Sequence, residues 1–228
     1  SASSSNQKPM NPKPIFLSNP TGKSTLVDEY VAKKSLEKYG LKIPKTEKCL
    51  LSDAHFVSDQ IGYPVVLKAL GSAHKSEMGE VVLNLENKKA VKNASKKVSK
   101  KHVIIEKMID DTIVELLIGI VHDPAHGMLL TIGAGGILTE ILSDTSSLLL
   151  PSSEDDVLEC FNQLKISKIA KGYRGFSGVD VNQIVDAIMK IQEFVLDNRD
   201  KVFEIEINPL LVTSSEVIVA DALIRKVT

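Results

Sequence analysis

The 228-residue chain has no tryptophan, and aromatic residues make up only 4% of it. Single-stranded nucleic acid is held largely by stacking on aromatic faces, so that class of function is disfavoured. A basic excess is also missing: the formal net charge is −1, whereas contact with a phosphate backbone demands clustered positive charge. Cysteine is scarce. Cys49 and Cys160 are distant in sequence and have no partner at metal-ligand spacing, which argues against a disulfide framework or a zinc site and for reduced thiols in a cytoplasmic protein. Long apolar runs are absent too. The stretch 113–121 is interrupted by Glu115 and is too short to cross a bilayer. The start, SASSSNQ, has no basic segment leading into an apolar one, so residues 1–20 read as a flexible tail or linker.

What remains is an ordinary globular composition, 43% apolar and 25% charged, on a chain long enough for one or two domains. Residues 23–39 carry apolar positions in helical rhythm and stop at Gly40. A second helix is expected from Asp53, as N-cap, to Ile61, closed by Gly62. The β-branched runs 65–70 and 81–85 flank the loop GSAHKSEMGE and predict a long-tipped hairpin. A lysine-rich helix over 86–101 and a strand over 102–109 follow. Strands are expected at 112–123, 127–136, 202–212 and 216–224, with helices near 154–166 and 181–198. Strands and helices do not alternate regularly, which favours an α+β architecture of two lobes over a doubly wound parallel sheet.

Several constellations bear on chemistry. Gly22-Lys23-Ser24-Thr25 imitates the end of a P-loop, but Leu17 stands where its first glycine is required, and without the full glycine-rich turn there is no phosphate cradle. Lys68 lies inside an apolar strand, placed either to meet phosphate as a point charge or to face solvent. His74, beside Lys75 in the loop, is either a phosphoryl acceptor or a surface residue. Three glycines in positions 133–136 allow backbone amides to approach an anion, or simply make a turn. Glu140 and Asp144 follow nearby. Glu204, Glu206 and Asn208 alternate on one strand and share a face, and Asp221 lies on the next. Carboxylates and an amide oxygen on adjacent strands are hard ligands suited to Mg²⁺ held with nucleotide phosphates. The lysines of 86–101 are a solvated face or an anion-steering one.

In order along the chain come LEKYGLKIP, IGYPVVLK, HKSEMGEVVLNL, VELLIGIVHDPAHG, IGAGGILTEI, LLLP, EIEINPLLV and VADALI. Together they resemble the ATP-grasp domain of the nucleoside-diphosphate-forming acyl-CoA synthetases, the group of ADP-forming acetyl-CoA synthetase and succinyl-CoA synthetase. The resemblance covers roughly residues 23–226. It implies an ATP-grasp fold, with one lobe over 21–110 and the other over 111–228, and a nucleotide cleft between them. It implies Mg²⁺ and ATP or ADP as ligands, nucleotide contacts from Lys68, Lys75, Glu106, Lys107, Met108, Ile109, Glu115, Gly135 and Gly136, and metal ligation by Asn208 and Asp221. His74 matches the loop histidine that relays phosphate, and Glu206 the glutamate that steadies it. The family usually has two glycines after the HKS segment, and here Glu80 replaces the second. No segment resembles the coenzyme-A-binding domain with its catalytic histidine, so a partner subunit or fused domain is implied. The alternative with the same fold is a nucleotide-sensing regulatory domain of a fused protein such as a protein acyltransferase.

Overall fold

The computed structural model describes residues 23–70, 81–136, 143–172 and 178–227. Among these residues two sheets organise the chain. The smaller has the strand order β2 (Thr46–Leu50), β5 (His102–Lys107), β3 (Val65–Ala69), β4 (Val81–Leu85). The larger runs β1 (Ser24–Leu26), β11 (Ala222–Val227), β9 (Val202–Val212), β6 (Val114–Asp123), β7 (Gly127–Ala134), β8 (Thr145–Leu149), with β10 (Val217–Val219) also paired to β9. All the strand pairings within these two sheets are antiparallel.

Alternation of apolar and polar residues decides which sheet face is covered. Along β6, Val114, Leu116, Ile118 and Ile120 are buried while Glu115, Leu117 and Gly119 are less so. Against the buried face pack helices α4 (Glu154–Asn162), α5 (Ile166–Ala170) and α6 (Val181–Asp197). Asp180 caps α6 by accepting from the Asn182 N–H. The helix then buries Ile184, Val185, Ile188, Ile191 and Val195 at spacings of one, three and four residues, a stripe that faces the sheet. Each such side chain contributes about 1.5–3 kcal/mol by leaving water, and cutting Ile188 to alanine would cost about 2–5 kcal/mol through the cavity left behind. Helices α2 (Ala54–Ile61) and α3 (Lys88–Ser95) cover the smaller sheet through a separate core that includes Ala54, Ile61, Val91 and Ala94.

Sheet membership does not follow chain order. Residues 23–39 do not form one helix: β1 comes first and pairs with β11, and helix α1 (Glu29–Glu37) follows. Asp28 opens α1 by accepting from the Tyr30 and Val31 N–H groups. Ala32 and Leu36 of α1 are buried in the larger core, and Tyr39 meets Phe194 edge-on at 5.3 Å. On its other side α1 approaches the smaller sheet through the Asp28–Lys48 ion pair at 3.2 Å. The helix thus stands between the two sheets.

Other expectations also shift. The hairpin, β4 and β9 lie where expected, but the expected strand 216–224 is broken at Ala220 and Asp221 into β10 and β11. Strands β2 and β8 were not expected. Asp53 makes no side-chain cap, because a short 3-10 turn (Leu51–Asp53) precedes α2 and gives Asp53 helical dihedrals. Among the described residues, no helix is long and apolar enough to cross a membrane.

Candidate functional site

The break between β10 and β11 organises the site. Ala222 pairs with Ile207, and the Ala220 N–H donates to the Pro209 carbonyl at 3.2 Å. Asp221, between them, therefore faces Asn208 across the strands, where directly opposed residues have Cα atoms about 4.5–5.5 Å apart. Strand β9 carries one more residue than β6 between the Leu116–Leu210 and Ile118–Ile207 pairs, at Asn208 and Pro209. Such a bulge re-aims side chains. Here Ile207 and Leu210 both stay in the core, while Asn208 points to the open face with Glu206 and, on β6, Glu115.

The glycines after β7 close on this face. The Gly136 N–H donates to Asn208 Oδ1 at 2.9 Å, and the Gly135 N–H donates to the Glu115 carbonyl at 2.8 Å. A Cβ on Gly135 would lie 2.5 Å from the Leu116 carbonyl carbon. Gly136 has φ +61°, and a Cβ there would fall 1.7 Å from Glu115 Oε2. Both positions require glycine, one for backbone contact and one for a left-handed turn beside a carboxylate. Asn208 has a second lone pair on Oδ1 beyond the one Gly136 uses, so it can still meet a cation.

On the smaller-sheet side lies a buried quartet. Lys68 of β3 donates to Glu29 at 2.9 Å and to the Ala220 carbonyl at 2.7 Å, and pairs with Glu106 at 3.3 Å. Lys33 of α1 pairs with Glu29 at 3.3 Å, with Glu106, and donates to the same Ala220 carbonyl at 3.1 Å. All four residues are nearly inaccessible. Burial disfavours the Lys68 ammonium, yet Glu106, Glu29 and Asp221 outweigh it and hold its pKa above the usual lysine range. Lys33 goes the other way: burial first, then the neighbouring Lys68 cation, pushes it down.

Of the expected site residues, Asn208, Asp221, Glu115, Gly135 and Gly136 come together on the larger sheet, and Lys68 joins them through Ala220. Glu106 turns into the quartet. Lys107 donates to the Gly62 and Tyr63 carbonyls at 3.3 and 2.5 Å. The N–H groups of Lys107 and Met108 donate to the Lys45 and Pro64 carbonyls, and Ile109 is half-buried. Glu206 is exposed, and Glu204 is paired with Arg225 at 3.0 Å, so the acidic row is partly neutralised by a cation from the next strand. Asp144 faces no cleft; it accepts from the Lys165 and Ile166 N–H groups at 2.9 and 2.8 Å. His74, Lys75, Glu80 and Glu140 lie outside the described residues. Sequence reasoning missed Glu29 and Lys33. Their i, i+4 spacing on one helix was the available signal.

Among the described residues, no three His, Cys, Asp or Glu side chains gather to hold a metal by themselves. An amide oxygen and a carboxylate facing each other, with a second carboxylate on the same face, nevertheless fit Mg²⁺, which takes few protein ligands and completes its shell with phosphates and water.

A family model described as an ATP-grasp domain matches residues 20–225. The chain belongs to the ATP-grasp family. Its fold is the α+β, two-sheet ATP-grasp fold, and its relatives are ADP-forming acid–CoA ligases. It is 33% identical over 207 residues to the ADP-forming acetate–CoA ligase II of Archaeoglobus fulgidus, covering 86% of this chain and 30% of that protein. Against the beta subunit of ADP-forming acetate–CoA ligase II of Pyrococcus furiosus it is 31% identical over 205 residues, 84% of this chain and 86% of that one. Among solved structures it resembles the dinucleotide-forming acetyl-coenzyme A synthetase 1 of Ca. Korarchaeum cryptofilum in complex with coenzyme A and Mg-AMPPCP. The TM-score is 0.76 at 30% identity, over 88% of this chain and 92% of that one. This ATP-grasp chain thus spans less than a third of the Archaeoglobus protein and most of the Pyrococcus subunit.

Proposed function

We propose that this ATP-grasp chain is the nucleotide-binding part of a cytoplasmic ADP-forming acid–CoA ligase, with the two sheets as walls of the nucleotide cleft. The overall reaction is acyl-CoA + ADP + phosphate ⇌ carboxylic acid + CoA + ATP. A partner subunit or fused domain holds coenzyme A and the acyl group and carries its own catalytic histidine. The observation that carries the reading is the pair Asn208 and Asp221, facing each other on the open sheet face beside Gly135 and Gly136. Oxygen ligands for a nucleotide-bound cation there adjoin the close backbone approach that phosphates require. The beta-subunit relative and the relative solved with Mg-AMPPCP support it.

In this scheme Asn208 and Asp221 hold Mg²⁺, which when bound neutralises charge on the phosphates. The Gly135–Gly136 backbone, whose N–H groups donate to the Glu115 carbonyl and to Asn208 Oδ1, borders the phosphates and sets Asn208 beside them. Lys68 presents a fixed positive charge from the cleft wall, Lys75 meets the phosphates, and the segment 106–109 borders the adenine. His74 accepts the phosphoryl group from the partner's phosphohistidine and passes it to ADP, and Glu206 steadies the phosphorylated ring. Two displacements then span a distance that one histidine need not cross.

His74→Ala tests the relay. With the partner present, ATP formation should vanish while Mg-dependent ADP binding, followed by calorimetry, stays intact. Unchanged turnover would sink the relay. Absence of Mg-dependent ADP binding by the unmodified chain would sink the nucleotide-site reading itself.

A further inference from the structure

The geometry points to Lys33 as a positioning residue that, with Lys68, clamps the Ala220 carbonyl and so fixes the adjoining Asp221 opposite Asn208. This rests on the nucleotide–metal role proposed for Asp221. Both ammonium groups converge on one backbone oxygen, at 3.1 Å from Lys33 and 2.7 Å from Lys68. That oxygen belongs to the residue immediately before Asp221, at the break between β10 and β11. Lys33 comes from α1, Lys68 and Glu106 from the smaller sheet, and Ala220 from the larger one. The quartet therefore ties helix α1 and two strands of the smaller sheet to the turn that bears Asp221.

Stability alone does not account for this arrangement. Replacing a buried ion network by apolar groups of similar size is often neutral or stabilising, so two lysines and two glutamates packed away from water are a poor way to hold a core. Their placement makes sense where a backbone group must be held within a fraction of an ångström. A metal ligand is such a group, since loss of the residues that orient ligands typically weakens metal affinity about 10–100-fold. Lys68, half of the clamp, also stands close enough to Asp221 for that carboxylate to favour its charged form.

The test compares Lys33→Met with the double variant Lys33→Met/Glu29→Gln. The single change leaves two buried carboxylates facing one ammonium. The double change restores neutrality, leaving Lys68 with Glu106, but still removes one of the two donors to Ala220. Calorimetric titration of ADP into the full chain at stepped Mg²⁺ concentrations gives the half-saturating Mg²⁺, and a thermal melt gives stability. The single variant should melt earlier and need about tenfold more Mg²⁺. The double variant should recover most of the melting temperature yet keep the raised Mg²⁺ requirement. Recovery of both would overturn the proposal, because the effect would then be charge balance alone. Wild-type Mg²⁺ dependence in a folded single variant would overturn it too. Failure of both variants to fold would make the quartet a folding requirement and end the positioning role. A wild-type chain that binds no ADP at any Mg²⁺ concentration would instead remove the nucleotide reading on which the proposal rests.

Discussion

Gly135→Ala should damage the site by crowding backbone against backbone. The added Cβ would lie 2.5, 2.6 and 2.9 Å from the carbonyl carbon, oxygen and nitrogen of Leu116, where comfortable carbon contacts need about 3.5–4.0 Å. No rotamer relieves this, since all three atoms are main chain. Gly135 must retreat by roughly an ångström, an overpacking strain of about 1–3 kcal/mol. Retreat stretches the 2.8 Å bond from the Gly135 N–H to Glu115 and draws Gly136 from Asn208. Losing one such bond adds about 1 kcal/mol, for a total of about 2–4 kcal/mol. At this chain length that lowers the melting temperature by about 4–16 °C. Differential scanning calorimetry measures the shift, and ADP titration with Mg²⁺ reads the site. Gly119→Ala is the control: on the same open face, its Cβ would meet only Leu117 Cδ2, at 3.9 Å, and both readouts should stay near wild type. A Gly135→Ala protein with unchanged melting and ADP affinity would refute the close-approach reasoning.

Lys68→Met leaves Glu29 and Glu106 sharing Lys33, and stranding a buried charge costs about 3–5 kcal/mol, read as a lower urea midpoint at unchanged slope. Because Lys68 titrates above the usual lysine value of 10.5 when folded, its stabilisation is complete below pH 10.5 and is lost only as pH climbs through the higher folded value. A pH series of urea melts up to 10 should show no loss assignable to it. Asp28→Ala removes the N-cap of α1 and its pairing with Lys48. The cap is worth about 1 kcal/mol, a fall of about 2–4 °C in melting temperature. Burial, with Asp53 and Glu47 nearby, pushes the Cys49 thiol from 9.0 up to about 11, so at pH 8 it holds about a hundredfold less thiolate and should be alkylated correspondingly slowly. Rapid modification of Cys49 in the folded chain would contradict its half-buried setting.

The strands that sequence made visible are those with apolar runs, such as β3 and β9. The three it hid, β1, β2 and β8, are all edge strands. In β1, β2 and β8 only Thr46 is buried, and the rest are exposed or half-buried. An edge strand has a neighbour on one side only and tolerates polar residues, so STL, TEKCL and TSSLL carry little of the apolar signal that marks a buried strand. For β1 the deciding partner is Ala222–Val227, about two hundred residues away. Local rhythm assigned those residues to the following helix because nothing nearby opposed it. The break at Ala220 and Asp221 was hidden for a related reason. EVIVADALI looks continuous, and the interruption lies opposite Asn208 and Pro209, where β9 bulges against β6, a feature of a distant segment.

The site divides along the same line. That Glu206 and Asn208 share a face was legible because alternation along a strand fixes which side chains share a face, a property of the segment itself, whereas the place of Asp221 depends on the break between β10 and β11. Glu204 shows where that inference stops. It shares the face, yet Arg225 pairs with it across β11, and only the register brings those two residues together. Lys33 is the extreme case. Next to it Lys34 is a half-exposed lysine that pairs with Glu37 three residues on, and within EYVAKKSLE nothing distinguishes the two. One turns toward water and the other into the quartet, because α1 faces the larger core with Ala32 and Leu36 and its adjoining side looks onto Glu106 and Ala220. A lysine without those partners could not remain charged at zero exposure. The charge balance of the quartet is therefore a property of three elements meeting, written in no single segment, and it follows that altering Glu29, Lys33, Lys68 and Glu106 in pairs of opposite charge should cost the junction between the sheets less than altering any one of them alone.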